Sequence, residues 1–381
     1  MTEQDFTALP DLAGRRLGGS VVGANDELFA ERENLIKPEP AEYQTYTFGH
    51  KGQVYDGWET RRRREPGHDW AIVRLGIAGI VRGVVVDTAF FTGNYPPEIS
   101  VEGTSVEGYP TPDELQQADW IPLVPRSPAD GDTQNPFSVE APRRVTHVRL
   151  CMYPDGGVAR LRAHGEAVPD PRFLGTGEID LAALANGGVV TGCSNMFYSS
   201  PSNLISPGQA RVMGEGWETA RRRDDDNDWV EFRLAGPGRV RLAELDTSYF
   251  VGNAPGWATL RGRDSRSAGR DDDWAELLPR TRLQPDTRHL FRIFDPPETT
   301  EVRLDVYPDG GMARVRLNGE LSQRGREELV LRWLNSIPDA HARQVLVDVG
   351  LDRDQADELV AARPMNTFAD LPARVRSFLG G

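Results

Sequence analysis

An internal duplication is the strongest constraint on the fold of this chain. The stretch GWETRRRREPGHDW, which begins at Gly57, returns as GWETARRRDDDNDW from Gly216. Two other blocks recur in the same order: DLAGRRLGG with DLAALANGG, and VRLCMYPDGGVARLRAHGE with VRLDVYPDGGMARVRLNGE. The blocks align without internal gaps, and differences in length fall between them, where loops tolerate insertions. The sequence therefore predicts two homologous domains.

The length of 381 residues suits two domains with room for a small appendage. The repeated blocks place the first domain at residues 11–168 and the second at residues 180–322. Residues 323–381 differ, because REELVLRWLNSIP and the segments after it carry apolar residues with helical spacing. Asp352 and Thr367 are candidate N-caps, and Gly350 is a candidate glycine at a helix end. We therefore expect a small C-terminal helical appendage.

Within each repeat the apolar segments are short and indicate strands. DWAIVRLG, VRGVVVDTAFF, VTHVRLCMY and GVARLRAHG alternate or run apolar, with Gly, Pro, Asp or Asn at the turns between them. In each repeat Pro-Asp-Gly-Gly separates two such segments, and it is a turn sequence. Domains of about 150 residues built in this way are typical of β-sandwiches. The predicted fold class is all-β, with two tandem jelly-roll β-sandwich domains.

Composition and missing motifs argue against several functions. The formal net charge of −14 disfavours a nucleic-acid partner, because binding to phosphate backbones needs an excess of Lys and Arg. No apolar run approaches the roughly 18 residues that span a bilayer, and the start lacks a signal-peptide pattern. We therefore expect a cytoplasmic protein with no membrane partner. Cys151 and Cys193 form no C-x-x-C pair, the six histidines lack metal-ligand spacing, and no G-x-S-x-G or phosphate-binding loop is present.

Polar residues recur in both halves where strands begin or end. They offer carboxylates for proton transfer, guanidinium groups for a carboxylate and amides for a urea-like group. In the first repeat they are Glu59, Arg61, Arg63, His68, Asp69, Asp87 and Asn94, and in the second Glu218, Arg221, Asp246 and Asn253. His68 differs from the others, because Asn227 stands at its place in the second repeat. The fold therefore does not require this histidine, which could transfer protons.

Each candidate also has a structural interpretation. Residues kept in both halves can serve the fold alone, and the repeated tryptophans are expected in the core or at its edge. These are Trp58, Trp70, Trp217 and Trp229. Asp87 and Asp246 precede a threonine and can simply cap a turn, and arginine runs are common on solvated faces. For Glu59 and Glu218 a functional role is favoured, since a carboxylate beside several arginines can orient them.

The chain resembles the allantoicase family over two stretches of each repeat. They are GWETRRRREPGHDWAIVRLG and GVVVDTAFFTGNYP in the first repeat, and GWETARRRDDDNDWVEFRLA and LDTSYFVGN in the second. The resemblance covers both repeats in order. It implies tandem jelly rolls of the galactose-binding-like type and hydrolysis of allantoate to ureidoglycolate and urea in purine (allantoin) catabolism. It also implies a cytoplasmic homo-oligomer. The C-terminal tail departs from the family pattern, and oligomer contact is the role we expect for it.

The resemblance gives the repeated residues hypothetical roles. Glu59 or His68 would act as the acid and Asp69 as an orienting group or base. One or more of Arg61, Arg63 and Arg221 would hold the substrate carboxylate. The other candidates for substrate binding are Asp87, Asn94, Glu218, Asp246 and Asn253. Metal ligands are unassigned, and a divalent metal such as manganese is left open. The alternative function is a non-catalytic tandem β-sandwich that binds a sugar or small carboxylate.

Overall fold

The computed structural model describes residues 6–174, 177–266 and 274–380. They fall into two compact units, of which the first contains residues 1–168 and 336–362 and the second contains residues 169–335 and 363–381. Each unit holds one repeat, and the repeats are built almost entirely from strands. The predicted fold class, two tandem β-sandwiches followed by helices, is confirmed. Gly381, the last residue of the predicted tail, lies outside the described residues.

The first unit contains eleven strands and a short helix within its repeat. They are β1 (Ser20–Ala24), β2 (Phe48–Gly49), β3 (Gly52–Gln53), β4 (Trp58–Glu59), β5 (Asp69–Asp87), β6 (Glu98–Thr104), α1 (Pro112–Gln116), β7 (Ile121–Pro128), β8 (Gln134–Ser138), β9 (Arg144–Tyr153), β10 (Gly157–Val158) and β11 (Arg160–Ala167). The order β1-β5-β9-β6-β7 forms the main sheet, while β8 and β11 also pair with β5. The short strands β4 and β10 pair separately.

Strand β5 changes its pairing partners along its length. Residues 69–74 pair with β9 and β1, and residues 79–87 pair with β11. The pairing register shifts between Arg74 and Gly79. Gly76 and Gly79 permit the bend, because an added Cβ would lie 2.3 Å from the Leu17 carbonyl oxygen and 2.2 Å from that of Glu166. The sequence predicts two separate strands here, and the structure joins them into one bent strand.

The bend brings both ends of β5 to one end of the first sandwich. Asp69 is opposite Met152, and Asp87 is opposite Arg160. Residues 152–160 can span about 28 Å at most, whereas a straight strand of this length would hold its ends about 60 Å apart. The Pro-Asp-Gly-Gly turn at residues 154–157 therefore connects the strands that pair with the two aspartates.

The second unit repeats this arrangement. The helix α2 (Pro171–Leu174) precedes its repeat, whose strands are β12 (Ile179–Asp180), β13 (Val189–Cys193), β14 (Trp217–Glu218), β15 (Asp228–Asp246), β16 (Trp257–Arg263), β17 (Ala275–Arg282), β18 (Arg288–Arg292), β19 (Thr299–Tyr307), β20 (Gly311–Met312) and β21 (Arg314–Leu321). Strand β15 pairs with β19 at its start and with β21 at its end, so it corresponds to β5. The corresponding turn lies at residues 308–311.

Two buried tryptophans hold the segment that precedes each long strand. Trp58 and Trp217 are fully buried. Their indole N–H groups donate to the carbonyl oxygens of Asp26 and Asn195, each at 2.8 Å. The core position predicted for these two tryptophans is confirmed, and the glutamate that follows each of them is thereby fixed in position.

Helices follow the second repeat, as the sequence predicts. They are α3 (Gln323–Ser336), α4 (Asp339–Asp348), α5 (Arg353–Ala361) and α6 (Ala373–Leu379). Asp352 caps α5, where its side chain accepts from the Gln355 N–H, and Gly350 has a φ of 97°. Thr367 caps a short 3₁₀ turn. None of the helices within the described ranges combines the length and the apolar character that a bilayer-spanning helix requires.

Replacement of Gly157 by alanine should destabilise the first sandwich. An added Cβ would lie 2.1 Å from Phe91 Cδ1, so the fully packed ring or the backbone must move. We expect a loss of about 1–3 kcal/mol in the free energy of unfolding, measured by denaturant titration. Gly93→Ala is the control, since nothing lies within 4 Å of its added Cβ. Equal stability of the two variants would contradict this packing.

Candidate active site

A polar cluster surrounds the turn at residues 154–157 of the first repeat. The segment after Trp58 runs along this turn: Glu59 pairs with Gly157, and the Arg63 N–H donates to Asp155 Oδ2 at 2.7 Å. The turn therefore fixes both ends of the segment. We call Glu59, Arg63, Asp69 and Asn94 the first cluster.

Glu59 is held in an environment that favours its neutral form. The residue is 8% exposed, and its Oε1 accepts from Asn94 Nδ2 at 2.6 Å. Its Oε2 is buried and has no hydrogen-bond partner among the residues that the structure describes. Burial raises the pKa of Glu59, and the hydrogen bond from Asn94 opposes this only in part. A carboxyl group of this kind keeps its proton to a higher pH than an exposed glutamate does.

The buried Asp69 carboxylate positions Arg63. Asp69 is 1% exposed, and its Oδ1 accepts from Arg63 Nη1 at 2.7 Å and from Asn25 Nδ2 at 2.8 Å. Its Oδ2 is buried and, within the described ranges, has no partner. A buried carboxylate needs a cation beside it, because desolvation of an unpaired charge is costly. The pair therefore fixes the guanidinium of Arg63 next to the turn.

The second repeat contains the same arrangement around the turn at residues 308–311. Asn253 Nδ2 donates to Glu218 Oε1 at 2.6 Å, and Arg222 Nη1 donates to Asp228 Oδ1 at 2.8 Å. The Arg222 N–H donates to Asp309 Oδ2 at 2.7 Å, as Arg63 does to Asp155. Asp228 is fully buried. We call Glu218, Arg222, Asp228 and Asn253 the second cluster.

The arginine of the second cluster is Arg222, whereas the sequence singled out Arg221, whose role in substrate binding stays a prediction. Arg221 is exposed and corresponds to Arg62 in the register of the repeated motif. The alignment of the two repeats identifies Arg222, because it shows that this residue corresponds to Arg63. Arg61 also lies apart from the first cluster, because it pairs with Asp26 at 2.6 Å and its side chain is 64% exposed.

Asp87 and Asp246 hold turns at the ends of the long strands. Asp87 Oδ1 accepts from the Ala89 N–H at 2.9 Å, and Asp246 Oδ1 accepts from the Ser248 N–H at 2.8 Å. An aspartate that accepts from the backbone N–H two residues ahead stabilises a turn, which is the structural alternative given for both residues in the sequence analysis. The structure thus supplies a structural role for both, and their role in substrate binding stays a prediction.

His68 lies beside the first cluster on the surface. Its ring centroid is 4.9 Å from that of Tyr153. Partial burial and the nearby Arg149 lower the pKa of His68, although Glu102 opposes the effect of the arginine. The neutral imidazole therefore predominates at neutral pH. In the second repeat the Asn227 amide donates to Asp305 Oδ1 at 3.1 Å instead.

The described residues contain no group of three or more His, Cys, Asp or Glu side chains arranged to hold a metal ion. In each cluster one carboxylate oxygen, Oδ1 or Oε1, accepts a hydrogen bond from arginine or asparagine. No metal-ligand set is therefore assigned among the described residues.

Comparison with known proteins identifies relatives over both repeats. The family model for the allantoicase repeat matches residues 10–168 and 179–322. A probable allantoicase of Nocardia farcinica is 61% identical over 319 residues, which cover 83% of this chain and 95% of that protein. The allantoicase of Dictyostelium discoideum is 40% identical over 321 residues, covering 82% of this chain and 87% of that protein. The crystal structure of allantoicase from Saccharomyces cerevisiae superimposes with a TM-score of 0.71 at 34% identity, covering 83% of this chain and 97% of that one.

Removal of the Arg63 side chain should cost far more stability than removal of a neighbouring arginine. Arg63→Ala leaves the Asp69 carboxylate buried without its cation, which typically costs about 3–5 kcal/mol. Arg62→Ala is the matched control, because Arg62 is exposed and its loss should cost less than about 0.5 kcal/mol. Urea unfolding measures both values. Similar midpoints for the two variants would show that the pair does not hold the site together.

Proposed function

Because this chain belongs to the allantoicase family, we propose that it hydrolyses allantoate to ureidoglycolate and urea, with the first cluster as part of the active site. The main support for this function is the family match across both repeats, at residues 10–168 and 179–322, which include both clusters. The relatives named allantoicase reach 61% identity over most of the chain. The chain is thus a hydrolase of C–N bonds in the allantoin branch of purine catabolism.

The chemistry of allantoate defines what the site must supply. One carbon carries a carboxylate and two ureido groups. When urea leaves, the C–N bond breaks with its electron pair on nitrogen, and that nitrogen takes a proton. The remaining ureido nitrogen stabilises the cationic carbon, and water then adds to form the C–O bond of ureidoglycolate and releases a proton. The site therefore needs a group for the carboxylate and an acid for the departing nitrogen.

Arg63 suits the carboxylate of the substrate. A guanidinium group binds a carboxylate through two parallel N–H groups, and Asp69 uses only Nη1 of Arg63. Asp69 acts in this proposal as the residue that orients Arg63, which accords with its hydrogen bonds to Arg63 and Asn25. It does not need to touch the substrate.

Glu59 is the residue we propose as the general acid that protonates the departing nitrogen. A general acid must hold its proton near the working pH, and burial raises the pKa of Glu59. Asn94 occupies Oε1, which leaves the buried Oε2 to carry and donate the proton. His68 is the weaker candidate, because the lowered pKa leaves little imidazolium at neutral pH.

We propose a cytoplasmic homo-oligomer without a nucleic-acid partner, in line with the net charge of −14. We also propose that residues 11–168 and 180–322 are the two domains and that the helical tail at 323–381 provides oligomer contacts.

Purified protein should release urea and ureidoglycolate from allantoate in equal amounts. The assay follows both products, with the same protein tested after chelation and after addition of manganese. Release that survives chelation would place the chemistry on the side chains, and release that depends on manganese would require a metal site beyond those side chains. No turnover in any metal state would contradict the proposed function and favour a binding module.

Glu59→Gln should lower kcat by about 10²–10⁴ with little change in KM, since the amide keeps the shape but donates no proton. The protonated fraction of an acid falls as pH rises through its pKa. The wild-type rate should therefore decline on its alkaline side, and the Glu59→Gln variant should lack that decline.

The control for this experiment is His68→Asn, which installs the residue of the second repeat. We expect it to keep most of the activity and the alkaline decline. If Glu59→Gln kept full activity, Glu59 would not be the acid. If His68→Asn lost activity as strongly as Glu59→Gln does and also lost the alkaline decline, the decline could not be assigned to Glu59.

A further inference from the structure

The two clusters differ in what surrounds their arginine. In the second cluster every nitrogen of the Arg222 guanidinium has a carboxylate partner. Nη1 donates to Asp228 at 2.8 Å, Nε donates to Asp224 Oδ1 at 2.9 Å, and Nη2 lies 3.5 Å from Asp226 Oδ2. Two of these carboxylates come from the loop that follows Arg222 itself. The group is therefore occupied from within its own repeat.

The first cluster lacks these two partners. Glu65 stands at the place of Asp224, and Gly67 stands at the place of Asp226. Over the ranges described, the one carboxylate that pairs with the Arg63 guanidinium is Asp69. Gly67 lies against this guanidinium, and an added Cβ would approach Nη2 to 2.7 Å. The Nη2 side of Arg63 thus faces a residue without a side chain.

Glu59 and Glu218, the glutamates of the two clusters, differ in how deeply they are buried. Glu59 is buried, and its Oε2 has no partner within the described chain. Glu218 is only half-buried, and its Asn253 partner also contacts Met213 Sδ at 3.3 Å. The glutamate of the first repeat is therefore more deeply buried than the glutamate of the second.

We infer that the first repeat alone binds the substrate carboxylate and performs the reaction, and that Asp224 and Asp226 fill the corresponding place in the second repeat. This inference rests on the proposed function. Exposed ion pairs are individually weak. Here, however, both carboxylates are tethered two and four residues from Arg222, so they compete with a free anion at high effective concentration. The second cluster therefore contains the buried pair between Arg222 and Asp228. It does not offer free guanidinium nitrogens to a substrate carboxylate.

A matched pair of lysine variants tests this assignment. Arg63→Lys and Arg222→Lys each keep a cation beside the buried aspartate and remove the planar guanidinium fork. We expect Arg63→Lys to raise KM for allantoate by about tenfold or more. Arg222→Lys should change KM by less than about threefold, since its fork already binds the loop carboxylates. Circular dichroism melting curves verify that both variants fold.

A binding measurement covers the case in which a lysine variant does not fold. Turnover is suppressed in the Glu59→Gln variant, so its binding of allantoate can be measured by calorimetric titration. We expect one molecule of allantoate bound per chain. Two molecules per chain, or equal rises of KM in the two lysine variants, would overturn the inference. Those outcomes leave the proposed function intact, whereas absence of urea release by the wild-type protein would refute the function itself.

Discussion

The buried pair between Arg63 and Asp69 is the interaction on which this site depends. Asp69 begins the long bent strand, and Arg63 lies in the segment that follows the buried Trp58. Their hydrogen bond, with the bond from the Arg63 backbone to Asp155, joins segment, strand and turn. Because a lone buried carboxylate would be unstable, the fold and the position of the guanidinium depend on each other. The second repeat retains this pair as Arg222 and Asp228.

The duplication explains why the structural and chemical parts of the site can be separated. The tryptophan, the Glu–Asn hydrogen bond and the buried Arg–Asp pair are present in both repeats. The loop after the arginines differs, with Glu-Pro-Gly-His in one copy and Asp-Asp-Asp-Asn in the other. What both copies need for folding is retained, and the residues that decide access to the guanidinium have diverged.

The repeated blocks were sufficient to predict the fold class and the turns, and the helical spacing of apolar residues after residue 322 was sufficient to predict the tail, because each leaves a local pattern in the sequence. The pairing of Glu59 with Asn94 was not predictable, since 35 residues separate them and only the folded sheets bring them together. The bend in β5 was missed because Gly76 and Gly79 resemble ordinary strand breaks. Arg222 was overlooked although the motif register identifies it. The roles predicted for Arg61, Arg221, Asp87 and Asp246 rested on residue type and stay predictions, because residue type alone does not distinguish a surface pair or a turn from a site.

The most direct test is a crystal structure of the Glu59→Gln variant with allantoate. We expect allantoate at the first repeat, with its carboxylate oxygens about 2.7–2.9 Å from the nitrogens of Arg63 and a ureido nitrogen against residue 59. The carboxylates of Asp224 and Asp226 should remain on Arg222 in the same crystal. Allantoate bound at the second cluster, or bound with the Arg63 guanidinium left untouched, would contradict this expectation.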